Sequence, residues 1–218
     1  MRISRHGYRE LLVLFLACLA LFLLSIRYVM VLAPVPVGLF LFFLSFFRDP
    51  ERKVPSEDGI LVSPADGTVA DIQEVQEEDE LDTKCLRIGI FLSVFNVHVN
   101  RSPGTGRVEG TRYENGSFHN AMSEDAAKEN ESNTIHVRNE DSTFLVKQIA
   151  GLLARRIVCT LQEGDRVARG ERIGMIKFGS RTELYVPLSE DPTVNVEEGD
   201  GVTGGETILV QFEEEQPS

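Results

Sequence analysis

Three side chains suited to hydroxyl chemistry lie far apart in the chain. They are Asp66 in "SPADGTV", His98 in "FLSVFNVHVNRSP", and Ser180, which follows Gly179 in "IKFGSRTELYVP". A serine becomes a nucleophile when a histidine takes its proton and a carboxylate holds the histidine in one tautomer. Each residue alone has a plainer reading. Asp before Gly is a common turn pair, a single histidine at the end of an apolar strand is more often a hydrogen-bonded core residue, and Gly-Ser between two strands is ordinarily a turn. The chain has no G-x-S-x-G elbow, which argues against an ordinary hydrolase. Cys18, Cys85 and Cys159 are odd in number and widely spaced, with no CxxC and no histidine at ligand spacing. That argues against a disulfide framework or a metal site and suits a reducing compartment.

The elements that must carry these residues are mostly short. "GILVSPADGTVADIQEV", "KCLRIGIFLSVFNVHV", "NTIHVRN" and "STFLVKQIA" are β-branched runs bounded by Gly, Asp, Asn and Pro, the pattern of a mainly β domain. "ERIGMIKF" and "TELYVP" predict two further strands interrupted at Gly179, Ser180 and Arg181. "FHNAMSEDAAKENESN" has the composition of a short helix, and "EVQEEDELD" that of a solvated loop. An internal repeat lies near the C-terminus. "EGDRVARGERI" (163–173) matches "EGDGVTGGETI" (198–208) at an offset of 35 residues. Gly-Asp and Gly-Glu make turns, while Val and Ile fill strands. Two such β-turn-β units around one core predict a barrel-sandwich-like domain, and "SPADGTV" resembles a third turn of the same kind.

The first 47 residues differ from the rest. "LLVLFLACLALFLLSI" holds 16 residues without a charge, and "YVMVLAPVPVGLFLFFLSFF" adds 20 more, interrupted by Pro34, Pro36 and Gly38. A membrane span needs about 20 apolar residues, so the first run is marginal and the second is long enough but expected to kink near Ala33–Gly38. Arg2, Arg5 and Arg9 precede the runs, and Arg48, Arg52 and Lys53 follow them. Cations at both ends predict an N-terminal apolar helical hairpin with both ends on the cytoplasmic side. A cleaved signal peptide fits less well, because a second apolar run follows where a small-residue cleavage site would stand. Residues 1–50 hold five arginines and two acidic residues, so 51–218 holds 17 basic and 32 acidic residues, a net charge of −15. Such a domain is a poor nucleic-acid binder.

Taken together, "SPADGTV", "FNVHVNRSP", "GSFHNA", "ENE", "QIAGLLARRI" and above all "IGMIKFGSR" resemble the short form of the phosphatidylserine decarboxylase proenzymes. The order and spacing of these segments carry the resemblance, which covers nearly all of residues 50–190. It implies a chain of three parts: a membrane-anchoring hairpin over 1–47, a linker over 48–59, and a pyruvoyl-dependent decarboxylase domain over 60–218. It implies that Gly179-Ser180 is a self-cleavage site. Ser180 Oγ attacks the Gly179 carbonyl, the amide becomes an ester, and elimination leaves a dehydroalanine that hydrolyses to a covalent pyruvoyl group. His98, oriented by Asp66, serves as the base. The large chain 1–179 and the small chain 180–218 stay together as a heterodimer, with higher assembly left open. The pyruvoyl ketone forms a Schiff base with the amine of phosphatidylserine, and phosphatidylethanolamine is released after loss of carbon dioxide.

One position departs from the pattern. Longer members carry H-x-x-H, and Phe95 stands where the first histidine would be. Either His98 serves both stages or another group such as His119 supplies the proton, and reuse of His98 is the simpler reading. Arg101 and Arg181 are the cations considered for the lipid phosphate, while His119 and His136 read as structural. Two rival readings remain. A non-enzymatic membrane-anchored adaptor on a barrel-sandwich domain would have no need of Gly179-Ser180. A decarboxylase of a soluble amino acid or a related serine lipid would share the chemistry, although the soluble substrate leaves the apolar hairpin without a purpose.

Overall fold

The computed structural model describes residues 2–116, 130–139, 142–151, 156–177 and 180–212, and the chain divides into two units, Met1–Glu51 and Arg52–Ser218. In the first unit a 3₁₀ turn leads into α1 (Tyr8–Tyr28), and a second turn leads into α2 (Pro34–Phe46). α1 has 21 residues, about 31 Å at 1.5 Å per residue, enough to cross an apolar layer of about 30 Å. α2 has 13 residues and is too short to do so alone. The lengths thus reverse the sequence expectation. The first run recruits Tyr8, Arg9 and Glu10 at its start and Arg27 and Tyr28 at its end. The second run is interrupted at Val29–Ala33 and restarts at Pro34, which takes the first helical position, where a missing N–H costs nothing. The Phe15 and Phe40 rings meet edge to face at 5.5 Å. At the open end the Ser4 N–H bonds the Phe47 carbonyl at 2.9 Å, and the Asp49 N–H bonds the Arg2 carbonyl at 2.9 Å. The hairpin's two ends therefore leave side by side.

The second unit is mainly β. Its strands are β1 (Ile60–Val62), β2 (Gly67–Glu77), β3 (Thr83–Leu92), β4 (Val99–Arg101), β5 (Gly106–Glu114), β6 (Ser132–Arg138), β7 (Thr143–Ala150), β8 (Ile157–Cys159), β9 (Arg166–Val167), β10 (Arg172–Ile176), β11 (Ser180–Pro187), β12 (Pro192–Val194), β13 (Gly201–Val202) and β14 (Ile208–Phe212). Eight of them form one curled antiparallel sheet in the order β13-β2-β3-β11-β7-β6-β5-β9, flanked by the smaller sheets β1-β14-β12 and β4-β10-β8. Inner-face residues of the long sheet, among them Ile88, Ile90, Ile135, Val146 and Leu184, are buried in one core with Leu61, Ile173, Leu209 and Val210 of the smaller sheets. Two elements differ from their sequence reading. "EVQEEDELD" begins as the end of β2, and the Glu77 carboxylate accepts the N–H groups of the turn that follows. The 48–59 linker is divided, because from Arg52 onward it belongs to the β unit. There the Arg169 guanidinium bonds the Pro55 carbonyl at 3.0 Å and the Glu57 carbonyl at 2.6 Å. The helix read in 118–133 falls mostly outside the described residues.

The repeat is visible in the backbone. Gly164 and Gly199 adopt φ of 91° and 96°, and Gly170 and Gly205 adopt 75° and 79°. These are left-handed conformations that favour glycine. The first copy supplies β9, which pairs with β5 at one edge of the long sheet, and the second supplies β13, which pairs with β2 at the other. The Gly170 N–H bonds the Ser102 carbonyl at 2.8 Å, and the Gly205 N–H bonds the Ser63 carbonyl at 2.8 Å. "SPADGTV" and "SPGTGRV" are thus a second repeated pair, one that the sequence reading matched on one side only.

Candidate active site

Ser180 is the first residue of β11, the strand held between β3 and β7; it faces Leu92 on one side and Ala150 on the other. The expected turn at Ser180 and Arg181 is therefore strand, buried because these residues are paired on both edges, with β3 and with β7. Gly179 and Phe178 lie outside the described residues, as does His119. Ser180 is fully buried, and its Oγ has no hydrogen-bond partner among the described residues. An unpaired buried hydroxyl costs about 1–3 kcal/mol. Such a group calls for a chemical explanation, and a hydroxyl that is consumed by reaction supplies one.

Alternation along β11 puts Ser180 and Thr182 on the inner face. There a chain of amides runs beneath them. Asn100 Nδ2 donates to Thr182 Oγ1 at 3.0 Å and lies 3.5 Å from the Pro64 carbonyl. Gln148 Nε2 donates to Asn100 Oδ1 at 2.9 Å, and Asn133 Nδ2 donates to Gln148 Oε1 at 3.1 Å. All four side chains are buried. This network ties together the "SPAD", "HVN", "KQIA" and "GSRT" segments.

His98 is fully buried, one residue before β4 and two before Asn100. Its carbonyl accepts the Ile176 N–H at 3.2 Å. Its Nδ1 lies 3.0 Å from the Asn96 carbonyl. A carbonyl only accepts, so the proton sits on Nδ1 and Nε2 carries the lone pair of a base. The hydrogen bonds described for Asp66 run elsewhere. Arg52 donates to both carboxylate oxygens at 2.8 Å, and the Gly204 N–H donates to Oδ1 at 2.9 Å. At the equivalent place in the repeat, the Arg169 N–H donates to Thr105 Oγ1 at 3.1 Å. Asp66 therefore anchors a turn that its counterpart anchors with a hydroxyl, and Arg52 is the partner peculiar to it.

The two cations considered for the lipid phosphate are otherwise engaged. Arg181 is on the outer face, where its guanidinium meets Asp71 at 2.6 Å and Glu183 at 2.7 Å. Burial pulls its proton affinity down, and the charges and hydrogen bonds of Glu183 and Asp71 together outweigh it, so the net shift is upward. Tyr185 completes the cluster by donating to Glu183 at 2.7 Å. Arg101 is buried and donates to the Gly170 carbonyl at 2.9 Å. Phe95 is 73% exposed. His136 Nε2 lies 2.9 Å from the Thr143 hydroxyl, a structural pairing. Among the described residues no group of three His, Cys, Asp or Glu side chains is placed to hold a metal. A serine at the head of a buried strand with its hydroxyl unengaged, in a fold that also buries a histidine whose Nδ1 is held by a carbonyl, fits the formation of a pyruvoyl group from that residue.

A family model described as phosphatidylserine decarboxylase matches residues 39–210. A phosphatidylserine decarboxylase proenzyme of Xanthobacter autotrophicus is 40% identical over 218 residues, covering 99% of this chain and 91% of that protein. One from Solidesulfovibrio magneticus is 47% identical over 172 residues, 78% of this chain and 79% of the other. One from Desulfotalea psychrophila is 45% identical over 172 residues, again covering 78% and 79%.

Proposed function

The chain belongs to the phosphatidylserine decarboxylase family, and we infer from that membership that it is a pyruvoyl-dependent carboxy-lyase converting phosphatidylserine to phosphatidylethanolamine. The observation that carries the site assignment is Ser180, whose buried Oγ is unengaged at the start of β11. His98 Nε2 takes the Ser180 proton while the Asn96 carbonyl holds the Nδ1 proton. Ser180 Oγ adds to the Gly179 carbonyl, the C–N bond breaks, and an ester joins the two halves. Removal of the Ser180 α-proton expels the Gly179 carboxylate. The dehydroalanine left behind adds water and loses ammonia, and Ser180 becomes the blocked head of the small chain 180–218. That pyruvoyl group supplies the electron sink for the pair released as carbon dioxide departs.

Asp66 acts at one remove. Its bonds to Arg52 and Gly204 hold the "SPADG" turn, whose Pro64 carbonyl accepts the Arg101 N–H at 2.9 Å and faces Asn100. It thereby sets the segment that presents His98. The chain acts at a membrane through its apolar hairpin, with α1 as the anchor. Arginines and Lys53 flank both ends of the hairpin, which supports a catalytic unit on the cytoplasmic side. Intact mass of the purified protein, beside Ser180→Ala, tests the reading. Two chains parting between Gly179 and Ser180, the smaller blocked to stepwise degradation, are expected from the parent and one unbroken chain from the variant. An unbroken parent chain would remove the pyruvoyl mechanism.

A further inference from the structure

One row of residues crosses the long sheet at the level of Ser180. Ser180 of β11 stands opposite Ala150 of β7. The last registered pair of β6 and β7 is Ser132 with Ile149, and one step further the register sets Glu131 opposite Ala150. The Ala150 N–H bonds the Glu131 carbonyl at 2.9 Å, and Asn130 Nδ2 bonds the Ala150 carbonyl at 2.7 Å. These bonds hold the segment to the strand beyond its formal end. Opposed residues of antiparallel strands share a face, so Ser180, Ala150 and Glu131 lie in line on the inner side. Their outer Cα atoms are two strand spacings apart, about 10 Å. The residue between them is an alanine.

Glu131 is 8% exposed, an uncommon state for a glutamate. The Tyr113 phenol is pushed up to about 12, first by its interaction with this carboxylate. The Tyr113 ring is itself half exposed. A nearly buried carboxylate thus stands in the row of Ser180, beside a neutral phenol. At the same time the exposed Phe95, three residues before His98, offers no exchangeable proton.

We propose that Glu131 is a catalytic residue of the decarboxylation, moving one proton per turnover from the substrate amine to the substrate carbon. This rests on the proposed pyruvoyl chemistry at Ser180. The lipid ammonium must lose a proton before its nitrogen can attack a carbonyl, and Glu131 accepts it. When the bond to carbon dioxide breaks, its electron pair stays with the substrate, and the Glu131 carboxyl proton goes to the carbon that held the carboxylate. The carboxylate of Glu131 is then restored. The released amine takes its last proton from water, so one solvent proton is consumed for each carbon dioxide formed. Tyr113 is a positioning residue that orients the carboxylate. Ala150, the smallest side chain that keeps a strand conformation, leaves the span between the two ends of the row.

The test uses full-length Glu131→Gln in detergent with phosphatidylserine, beside the parent protein. The variant is expected to split as the parent does, and to turn over at least about 100-fold more slowly. A second readout separates proton delivery from damage to the fold. Without the donor, solvent protonates the wrong end of the conjugated system, and hydrolysis then leaves alanine at the head of the small chain and an aldehyde on the lipid. Small chains that become open to stepwise degradation during turnover, with alanine first, are therefore expected from Glu131→Gln. Parent-like turnover without alanine formation overturns the assignment. If Glu131→Gln fails to split, Tyr113→Phe decides, since its exposed ring is dispensable for the core. A rise in alanine formation supports Glu131, and no rise overturns it. A parent protein that does not split sinks both the proposed function and this inference, which separates the two failures.

Discussion

Asn100 donates to the Thr182 hydroxyl at 3.0 Å and accepts from Gln148 at 2.9 Å, so one buried amide joins the segment of His98 to the strand of Ser180. Ser180 and His98 come from positions far apart in sequence, and this bond ties their two segments together. Asn100→Leu removes both bonds and leaves Thr182 Oγ1 and Gln148 Nε2 buried without that partner. Each such group costs about 1–3 kcal/mol, and for a domain of this size 1 kcal/mol shifts Tm by about 2–4 °C. A fall of several degrees is expected. Self-cleavage, followed by gel or mass, should slow more than the loss of stability explains. Unchanged cleavage in a destabilised variant would mean that the network only packs the core.

The two repeat copies should respond alike to the same change. Gly164 and Gly199 share φ near 90°, where a Cβ costs about 1–2 kcal/mol. Gly164→Ala and Gly199→Ala are expected to lower Tm by matching amounts, and the double variant by their sum, because the turns lie at opposite edges of the sheet. Thermal melts of the three variants check this, and unequal penalties would show that the symmetry is one of shape and not of energy.

Stability should depend on pH through His136. Burial first, then the charge of Arg138, lowers its affinity for a proton. The unfolded chain, with a histidine near 6.5, binds that proton more readily than the folded one. The contribution of neutral His136 is therefore present above about pH 6.5 and lost as pH falls through the folded value below it. Tm should drop between pH 7.5 and 5.5, and His136→Gln, which can still bond Thr143, should flatten that drop. A variant with the parent's slope would assign the pH dependence to other groups.

The hairpin makes a prediction about sidedness. The Arg2–Asp49 and Ser4–Phe47 backbone bonds bring its two ends together, so an N-terminal tag and the β unit should lie on one side of the membrane. Protease treatment of inside-out vesicles should remove both. Protection of the tag alone would show that α1 crosses while α2 remains on the opposite face.

What the sequence made legible follows from which constraints are local. The repeat could be read because left-handed turns favour glycine, so Gly164, Gly170, Gly199 and Gly205 mark themselves. Ser180 and His98 stand out through the order of short segments around them, and both side chains are buried. The amide network is not legible from the sequence, because Asn100 in Val-Asn-Arg and Gln148 in Val-Lys-Gln-Ile lie beside other polar residues that mask their burial. A cation next to Ser180 suggests a substrate contact, whereas strand alternation sends Arg181 to the outer face, to Asp71 and Glu183. The relative lengths of α1 and α2 were misread because charge-free runs were counted, whereas Arg9, Glu10 and Arg27 all remain helical.

β11 pairs along its length with β3 and for most of it with β7, and both neighbours belong to the portion before Gly179. If the chain is cut where proposed, the smaller piece remains annealed like the short half of a split protein. The molecularity of folding then changes. The uncut chain folds in a first-order process, whereas the matured enzyme, once unfolded, must find its missing strand by collision. Its recovery should then depend on concentration, so a cut at that place would have to follow folding of the single chain.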